Sequence, residues 1–551
     1  MTSPVGMIKQ TLPVTMQARV ILEEDGYSQI LRMTELNFEE QFAIQSHVDD
    51  VFHELCSSVP EARLFGQIFS QSMSSILAFS KALNITLQTR RHGEISAFGC
   101  PTKEGGEARS EDDIRSWVWR RTLSGFRIDE GQPLGVLECP PPARRLVEQC
   151  MTASQKVRLL LLRMQRILRE RIRNRGATVR LLVVGGPGKT WFLERYGLPN
   201  ARCTFMTPDT LNSRFGIVTY GTQQPVQLDH GSDADCVDQF VSTLVAENAD
   251  DIEQALAQIL SSYDAILTCS EDEPLVRRVL ECFSTSGKQA WIFPEGAVVM
   301  NEAFWPFYRM FHYSPKGVHR LVFCEQERNF WSREVRTPSK VETIGYLADT
   351  TSATRFEDIM VRLWWQIHQR RNPLASRRKP VFVSFEVLED AGMTRLGLPS
   401  ESEMLDVMDS AIASLVESGR YVIAKCRGDL VAGLAQNRYR HLPVFVTSNM
   451  PWQSLARLTG GVIARESSLI FEAQCLGLRA VIWNPTHLKS RAEGFSQEFP
   501  DSVVVARTRT QLVDATTEMA SPQWGRGVQK RTKAHLRRRL REWSSELDQS
   551  A

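Results

Sequence analysis

From residue 179 onward, short apolar runs alternate with segments whose apolar residues recur at helical spacing. Runs at 179–184, 201–206, 264–268, 289–293, 318–324 and 341–346 predict strands, and 237–244, 252–260 and 273–283 predict helices between them. A second set repeats the pattern. Strands are predicted at 380–385, 421–424, 442–447, 462–464, 479–483 and 502–506, with helices at 403–417 and 452–458 and a short one starting at Glu466. Near-continuous apolar strands alternating with helices are the mark of a parallel sheet covered on both faces. Each half is therefore predicted as a doubly wound, Rossmann-like α/β domain. Between the halves, residues 356–369 read as a helix with Phe356, Ile359, Met360, Leu363, Trp364 and Ile367 on one stripe, followed by the charged linker 370–379.

The remainder is different in kind. Residues 37–56 and 61–83 have helix-like apolar spacing, 102–110 read as a polar loop, 111–121 are rich in Trp and Arg, and Cys139-Pro140-Pro141-Pro142 forms a stiff boundary. Two further helices, 154–175 and 528–547, carry apolar stripes set among many Lys and Arg residues. The predicted organisation is a mostly helical, separate N-terminal region (1–150), a first Rossmann-like domain with a leading basic helix (151–350), a linker helix and hinge (351–379), a second Rossmann-like domain (380–520) and a basic C-terminal helix (521–551).

The stretch 460–485, GGVIARESSLIFEAQCLGLRAVIWNP, concentrates the candidate chemistry. It reads as strand, tight turn, short helix, strand, with Leu469, Ile470, Ala473 and Leu476 on the buried side and Gly477 ending the helix. Ser467 and Ser468 then stand at a helix N-terminus beyond the carboxyl end of a parallel strand, where backbone N–H groups and hydroxyls favour a phosphate. Glu472, one turn on, is within reach of a ribose attached to that phosphate. An ordinary βαβ unit with a serine cap fits the same residues.

Bulk properties narrow the classes. The 551 residues suffice for two or three domains, and 42% hydrophobic with 24% charged residues is ordinary for a soluble protein. A formal net charge of +2 gives no global reason to expect a nucleic-acid partner. No apolar run reaches the length of a membrane span, and the first residues have no signal-peptide core. Eleven cysteines occur singly, many in apolar runs, as in a reduced cytoplasmic protein, and neither they nor His47, His53 and His92 have metal-ligand spacing. A cytoplasmic protein is expected, with the two basic helices as the feature that would hold it against an anionic membrane inner face.

After the first predicted strand comes Gly185-Gly186-Pro187-Gly188-Lys189-Thr190. A nucleoside-triphosphate P-loop needs a glycine five positions before Gly188, where this chain has Val183, so that reading is rejected. What remains is a glycine-rich turn, Gly185, Gly186, Gly188 and Lys189, able to line a ligand cleft.

Two consecutive α/β domains with a phosphate-and-ribose site in the second resemble the GT-B glycosyltransferases. The likeness extends over about residues 178–520, closest to capsular polysaccharide transferases, teichoic-acid glycerophosphotransferases and UDP-N-acetylglucosamine 2-epimerases. Ser467, Ser468, Glu472, Ala473, Gly477 and Val481 resemble their nucleotide motif, 289–296 a strand ending at their cleft, and 340–347 the strand before their linker. Where those families often carry His-Gly, this chain has Glu295-Gly296, and where they often carry Lys-x-His-Pro, it has Lys425-Cys426-Arg427. The resemblance implies a metal-independent transfer of a sugar from a nucleotide-activated donor to a glycan, lipid-linked or protein acceptor, with no cofactor. Ser467, Ser468, Glu472, Lys425 and Arg427 would bind the donor, and Glu295 would be the base. A nucleotide-sugar epimerase or hydrolase of the same fold, and a non-catalytic interaction protein, are the alternatives it leaves open.

Overall fold

The computed structural model describes residues 19–24, 27–31, 38–66, 95–98, 107–110, 128–129, 179–185, 201–218, 221–228, 233–271, 273–293, 316–323, 325–334, 340–343, 355–384, 401–426, 438–448, 450–465, 469–485 and 501–519, with short pieces between them. The basic segment 154–175, and 528–547 except for four positions, lie outside the described residues.

The N-terminal region is helical through α1 (Phe38–Ser58) and a 3-10 helix at Pro60–Phe65. It also contains strands that periodicity did not predict. These are β1 (Arg19–Glu24), β2 (Tyr27–Leu31), β3 (Ile95–Phe98), β4 (Glu107–Ser110) and β5 (Ile128–Asp129). They form a sheet of order β2-β1-β3-β5, while β4 is the end of the segment expected to be a polar loop. β3, β4 and β5, two to four residues long, give a period of two too few positions to register. Nor is the region separate. Val48, Leu55, Phe65 and Phe69 share one apolar core with Leu182, Val184 and Ile266 of the first parallel sheet. Buried Arg277 fastens the junction by donating from Nε to the Glu271 carbonyl at 2.8 Å and from a terminal nitrogen to the Arg63 carbonyl at 3.1 Å.

The first parallel sheet contains β6 (Val179–Val184), β7 (Ala201–Met206), β9 (Ala265–Thr268), β10 (Gln289–Ile292), β11 (His319–Val322) and β12 (Val341–Thr343), in the order β12-β11-β10-β9-β6-β7. Between β7 and β9 the chain forms α2 (Pro208–Phe215), β8 (Gly221–Gln227), which pairs antiparallel with β4, and α3 (Asp233–Ser262). α4 (Pro274–Thr285) precedes β10, and α5 (Glu325–Glu334) precedes β12. The two helices expected within 237–260 are one helix, α3. Its polar middle, read as a break, bonds sideways instead. Asn248 exchanges hydrogen bonds with the Val218 backbone at 2.9 Å, and Glu247 accepts from the Gln223 and Gln224 amides at 2.7 and 2.8 Å.

The linker begins with α6 (Arg355–Arg371) and α7 (Pro373–Ser376). The second sheet contains β13 (Pro380–Ser384), β14 (Tyr421–Lys425), β15 (Val444–Thr447), β16 (Gly461–Ala464), β17 (Arg479–Trp483) and β18 (Val503–Ala506), in the order β15-β14-β13-β16-β17-β18. Its helices are α8 (Glu401–Glu417), α9 (Trp452–Thr459), α10 (Leu469–Cys475) and α11 (Arg509–Glu518). All its pairings are parallel. The fold thus contains the two expected doubly wound, Rossmann-like α/β domains.

Alternation along the strands builds the cores. Leu182, Val184, Ile266 and Ile292 point into the core under α3 and α4, while their neighbours Leu181, Val183, Leu267 and Trp291 join a different cluster. In the second sheet, Val381, Val383, Val422 and Ala424 pack with α8 and α11 residues, while Phe382, Tyr421 and Ile423 turn the other way. Those opposite-facing residues of both sheets belong to one cluster, joined by Val361, Trp364 and Trp365 of α6. The single apolar stripe expected on this helix is therefore two faces. Trp364 is buried with Val361 and Trp365, whereas Ile359, Leu363 and Ile367 are exposed.

α6 and α7 are tied to the second sheet. Trp364 meets Phe445 at 4.5 Å between ring centroids, Ser454 and Arg457 bond Asp358 at 2.7 and 2.9 Å, and the Asn372 side-chain amide donates to the Tyr421 hydroxyl at 3.3 Å. Bending near Asn372, the expected hinge, would break these bonds.

His368 Nε2 lies 2.7 Å from the Tyr421 hydroxyl, and burial lowers the imidazole pKa below its ordinary 6.5. The unfolded chain therefore takes up this proton at a higher pH than the folded one. The stabilisation is complete above about pH 6.5 and is lost as pH falls from there toward the lowered folded value. Melting temperature measured against pH is expected to fall across that window in the wild type and to fall less steeply in His368→Gln. An unchanged slope in the variant would contradict this account.

Candidate functional site

In the second sheet the chain runs outward from β13 through β14 to β15, then returns to the other side of β13 as β16. Strand order reverses between β13 and β16, whose registered pair is Val383 and Ile463. Loops leaving two such strands diverge, which opens a crevice at their carboxyl ends. The stretch singled out in the sequence sits at this point. Its two leading glycines have different causes. Gly460 takes a left-handed φ of 82° to end α9, and Gly461 lies so close to β17 that a Cβ there would meet the Arg479 carbonyl at 2.5 Å. The helix end is as expected, since Gly477 has φ 68° and the Leu478 amide bonds back to the Ala473 carbonyl at 2.9 Å.

Of the expected donor-binding residues, Ser467, Glu472 and Lys425 are described, whereas Ser468 and Arg427 lie outside the described residues. Ser467 caps α10, its hydroxyl oxygen accepting from the Leu469 amide at 3.2 Å and its carbonyl from the Ile470 amide at 3.1 Å. A hydroxyl that accepts one bond still has its hydrogen to donate. Glu472 is half-buried one turn further on. Lys425 ends β14, in register with Ser384 of β13 and Thr447 of β15, and its ammonium donates to the Ser448 carbonyl. Ile470, Ala473 and Leu476 are buried as expected, Leu469 is only half-buried, and Phe471 is the large side chain that the pattern missed.

Other polar groups at this edge were also missed. Fully buried Arg465 directly follows β16. Buried Asn484 directly follows β17, and its side-chain amide donates to Glu493 Oε1 at 2.6 Å while Arg507 reaches Glu493 Oε2 at 2.9 Å. A polar residue at the end of an apolar run was the available signal for Arg465 and Asn484.

In the first sheet the reversal lies between β6 and β9. Gly185 is buried there, its amide bonded to the Met206 carbonyl at 3.0 Å, while Gly186, Gly188, Lys189 and Glu295 lie outside the described residues. The polar groups described at this edge include a buried pair. Arg320 bonds Glu271 at 3.0 Å and stacks its guanidinium 3.8 Å from the centre of the Trp331 ring. Burial pulls the Arg320 pKa down and Glu271 opposes that shift.

The two domains meet beside the reversal between β13 and β16, the second of the two switch points in chain order. Phe293 at the end of β10 lies 5.9 Å from Phe323 at the end of β11, and Phe323 lies 5.9 Å from Phe471 of α10. All three rings are buried. Phe293 is therefore two ring contacts from the helix that carries Glu472.

No family model matches this sequence, and no curated protein matches it. Among solved structures, the chain is similar to UDP-N-acetylglucosamine 2-epimerase from Rickettsia bellii, with 11% identity over 67% of this chain and 96% of that one and a TM-score of 0.40. It is also similar to the UDP-GlcNAc 2-epimerase from Methanocaldococcus jannaschii, with 11% identity, 66% and 99% coverage and a TM-score of 0.37. A spinosyn rhamnosyltransferase matches with 12% identity, 67% and 100% coverage and a TM-score of 0.34.

The ring bridge is testable by a double-mutant cycle. Phe323→Leu and Phe471→Leu, alone and together, are expected to show a coupling of about 0.5–1.5 kcal/mol in denaturant unfolding. Strict additivity would mean that the rings do not meet.

Proposed function

We propose that this chain is a glycosyltransferase that moves a sugar from a nucleotide-activated donor to a hydroxyl acceptor on a glycan, lipid-linked or protein substrate. The observation that carries the reading is the placement of Ser467 and α10 after β16 at the second switch point, with the Phe293–Phe323–Phe471 bridge bringing the first domain's strand ends against the same helix.

In this reading the donor's phosphates lie against the α10 amides. Ser467 and Ser468 donate hydrogen bonds to them, and Lys425 and Arg427 supply positive charge. Glu472 accepts from the ribose hydroxyls. The acceptor oxygen attacks the anomeric carbon, the bond from that carbon to the phosphate oxygen breaks, and the acceptor proton passes to the Glu295 carboxylate. The leaving diphosphate keeps the bonding electron pair and is stabilised by the amides and cations without a metal ion. The Gly185–Gly186–Gly188–Lys189 turn lines the acceptor side, and the rings exclude water.

Donor titration by calorimetry, beside a transfer assay, tests these roles. Ser467→Ala with Ser468→Ala is expected to weaken donor binding, since hydrogen bonds to a charged group contribute about 1.5–3 kcal/mol each. Glu472→Ala should weaken it through the ribose. Glu295→Gln should bind donor as the wild type does but turn over at least about 100-fold more slowly, the scale of general-base catalysis. Wild-type turnover by Glu295→Gln would remove the base assignment. Unaltered affinity in the serine pair would remove the site, and an altered or free sugar formed without acceptor would replace transfer by epimerisation or hydrolysis.

A further inference from the structure

The outer face of the linker helix is unusual for a surface helix. Ile359, Leu363 and Ile367 stand four residues apart on α6 and are 61%, 46% and 41% exposed, and Leu374 of α7 is 47% exposed. Residues four apart lie on one row of a helix, so the first three form an apolar ridge about 12 Å long. The helix already buries its other face through Val361, Trp364 and Trp365, so the ridge is not the side that packs on the protein.

The charges that this stretch of the linker itself carries have one sign. Residues 359–379 contain Arg362, Arg370, Arg371, Arg377, Arg378 and Lys379 and no Asp or Glu. The acidic residues that precede them are occupied elsewhere, with Glu357 buried and Asp358 bonded to Arg457 and Ser454. At 3.6 residues per turn, Arg362 falls on one flank of the ridge and Arg371 on the other. Long basic side chains can lie along an apolar surface while their charged ends stay in water.

We infer that the exposed face of α6 and α7 docks on an anionic phospholipid surface, with Ile359, Leu363, Ile367 and Leu374 entering the headgroup boundary and the arginines meeting lipid phosphates. A convex single-helix face, aliphatic at its centre and basic at its flanks, suits a helix lying in a bilayer interface. A protein partner would be expected to meet aromatic anchors, and Ile359, Leu363 and Ile367 are all aliphatic. Charge complementarity selects anionic over neutral lipid. This docking would hold the second domain at the membrane through a helix bonded to its sheet, whether or not the chain transfers sugar.

Vesicle flotation with the full chain tests the inference. Wild type is expected to float with phosphatidylcholine–phosphatidylglycerol vesicles at low salt and not with phosphatidylcholine alone. Arg362→Gln, Arg370→Gln and Arg371→Gln together should lower partitioning about 100-fold. Ile359→Ser, Leu363→Ser and Ile367→Ser together should lower it by at least about tenfold. Unchanged circular-dichroism melts would show that both sets fold, and Leu363→Glu alone serves if either does not. The inference is overturned if wild type does not float, or if it floats and either set floats equally well. The second result would assign membrane contact to another part of the chain, and failure to float with retained binding of an acidic protein would make the face a protein site.

Discussion

Each strand of the two parallel sheets sends alternate side chains to opposite faces, and one face of each sheet feeds the same apolar cluster. That shared cluster is the constraint on which the arrangement depends. Burying a large apolar side chain contributes about 1.5–3 kcal/mol, and this cluster includes Trp291, Phe323, Phe382, Tyr421 and Phe471. Because it takes residues from both sheets and from α6, neither domain completes that face without the other. Phe323 and Phe471 are where the shared packing reaches the strand ends. The same contact holds α10, which Ser467 caps.

The N-terminal region adds a second dependence. It packs into the first domain's outer core through α1 and the 3-10 helix, and Arg277 bonds across the junction. The first domain thus has one face covered by the N-terminal region with α3 and α4, and the other by the shared cluster. Buried charge at its strand ends is paired within the domain, as in Glu271 with Arg320.

The parallel strands were legible in the sequence because strands buried on both faces leave uninterrupted apolar runs. β6, β14 and β17 were placed within a residue of their observed bounds. Gly477 was legible because ending a helix in a left-handed turn selects glycine. What was not legible depended on partners distant in sequence. The polar middle of α3 continues as helix because Val218, Gln223 and Gln224 satisfy Asn248 and Glu247. The two apolar faces of α6 look like one stripe until the second sheet buries only one of them. The bridge of Phe293, Phe323 and Phe471 joins three segments that local spacing treats as unrelated. Arg465 and Asn484 at the crevice edge match no motif, although their position at the ends of apolar runs marked them.

The central claim is that a nucleotide diphosphate binds at the switch point of the second sheet. Amide hydrogen exchange of the full chain, with and without uridine, thymidine or guanosine diphosphate in turn, tests it most directly. The account predicts that at least one nucleotide slows exchange in 465–473 and at the end of β14, because the ligand sits on those amides and on the loops beside them. Protection confined to the first domain, or no protection by any of the three, would contradict it.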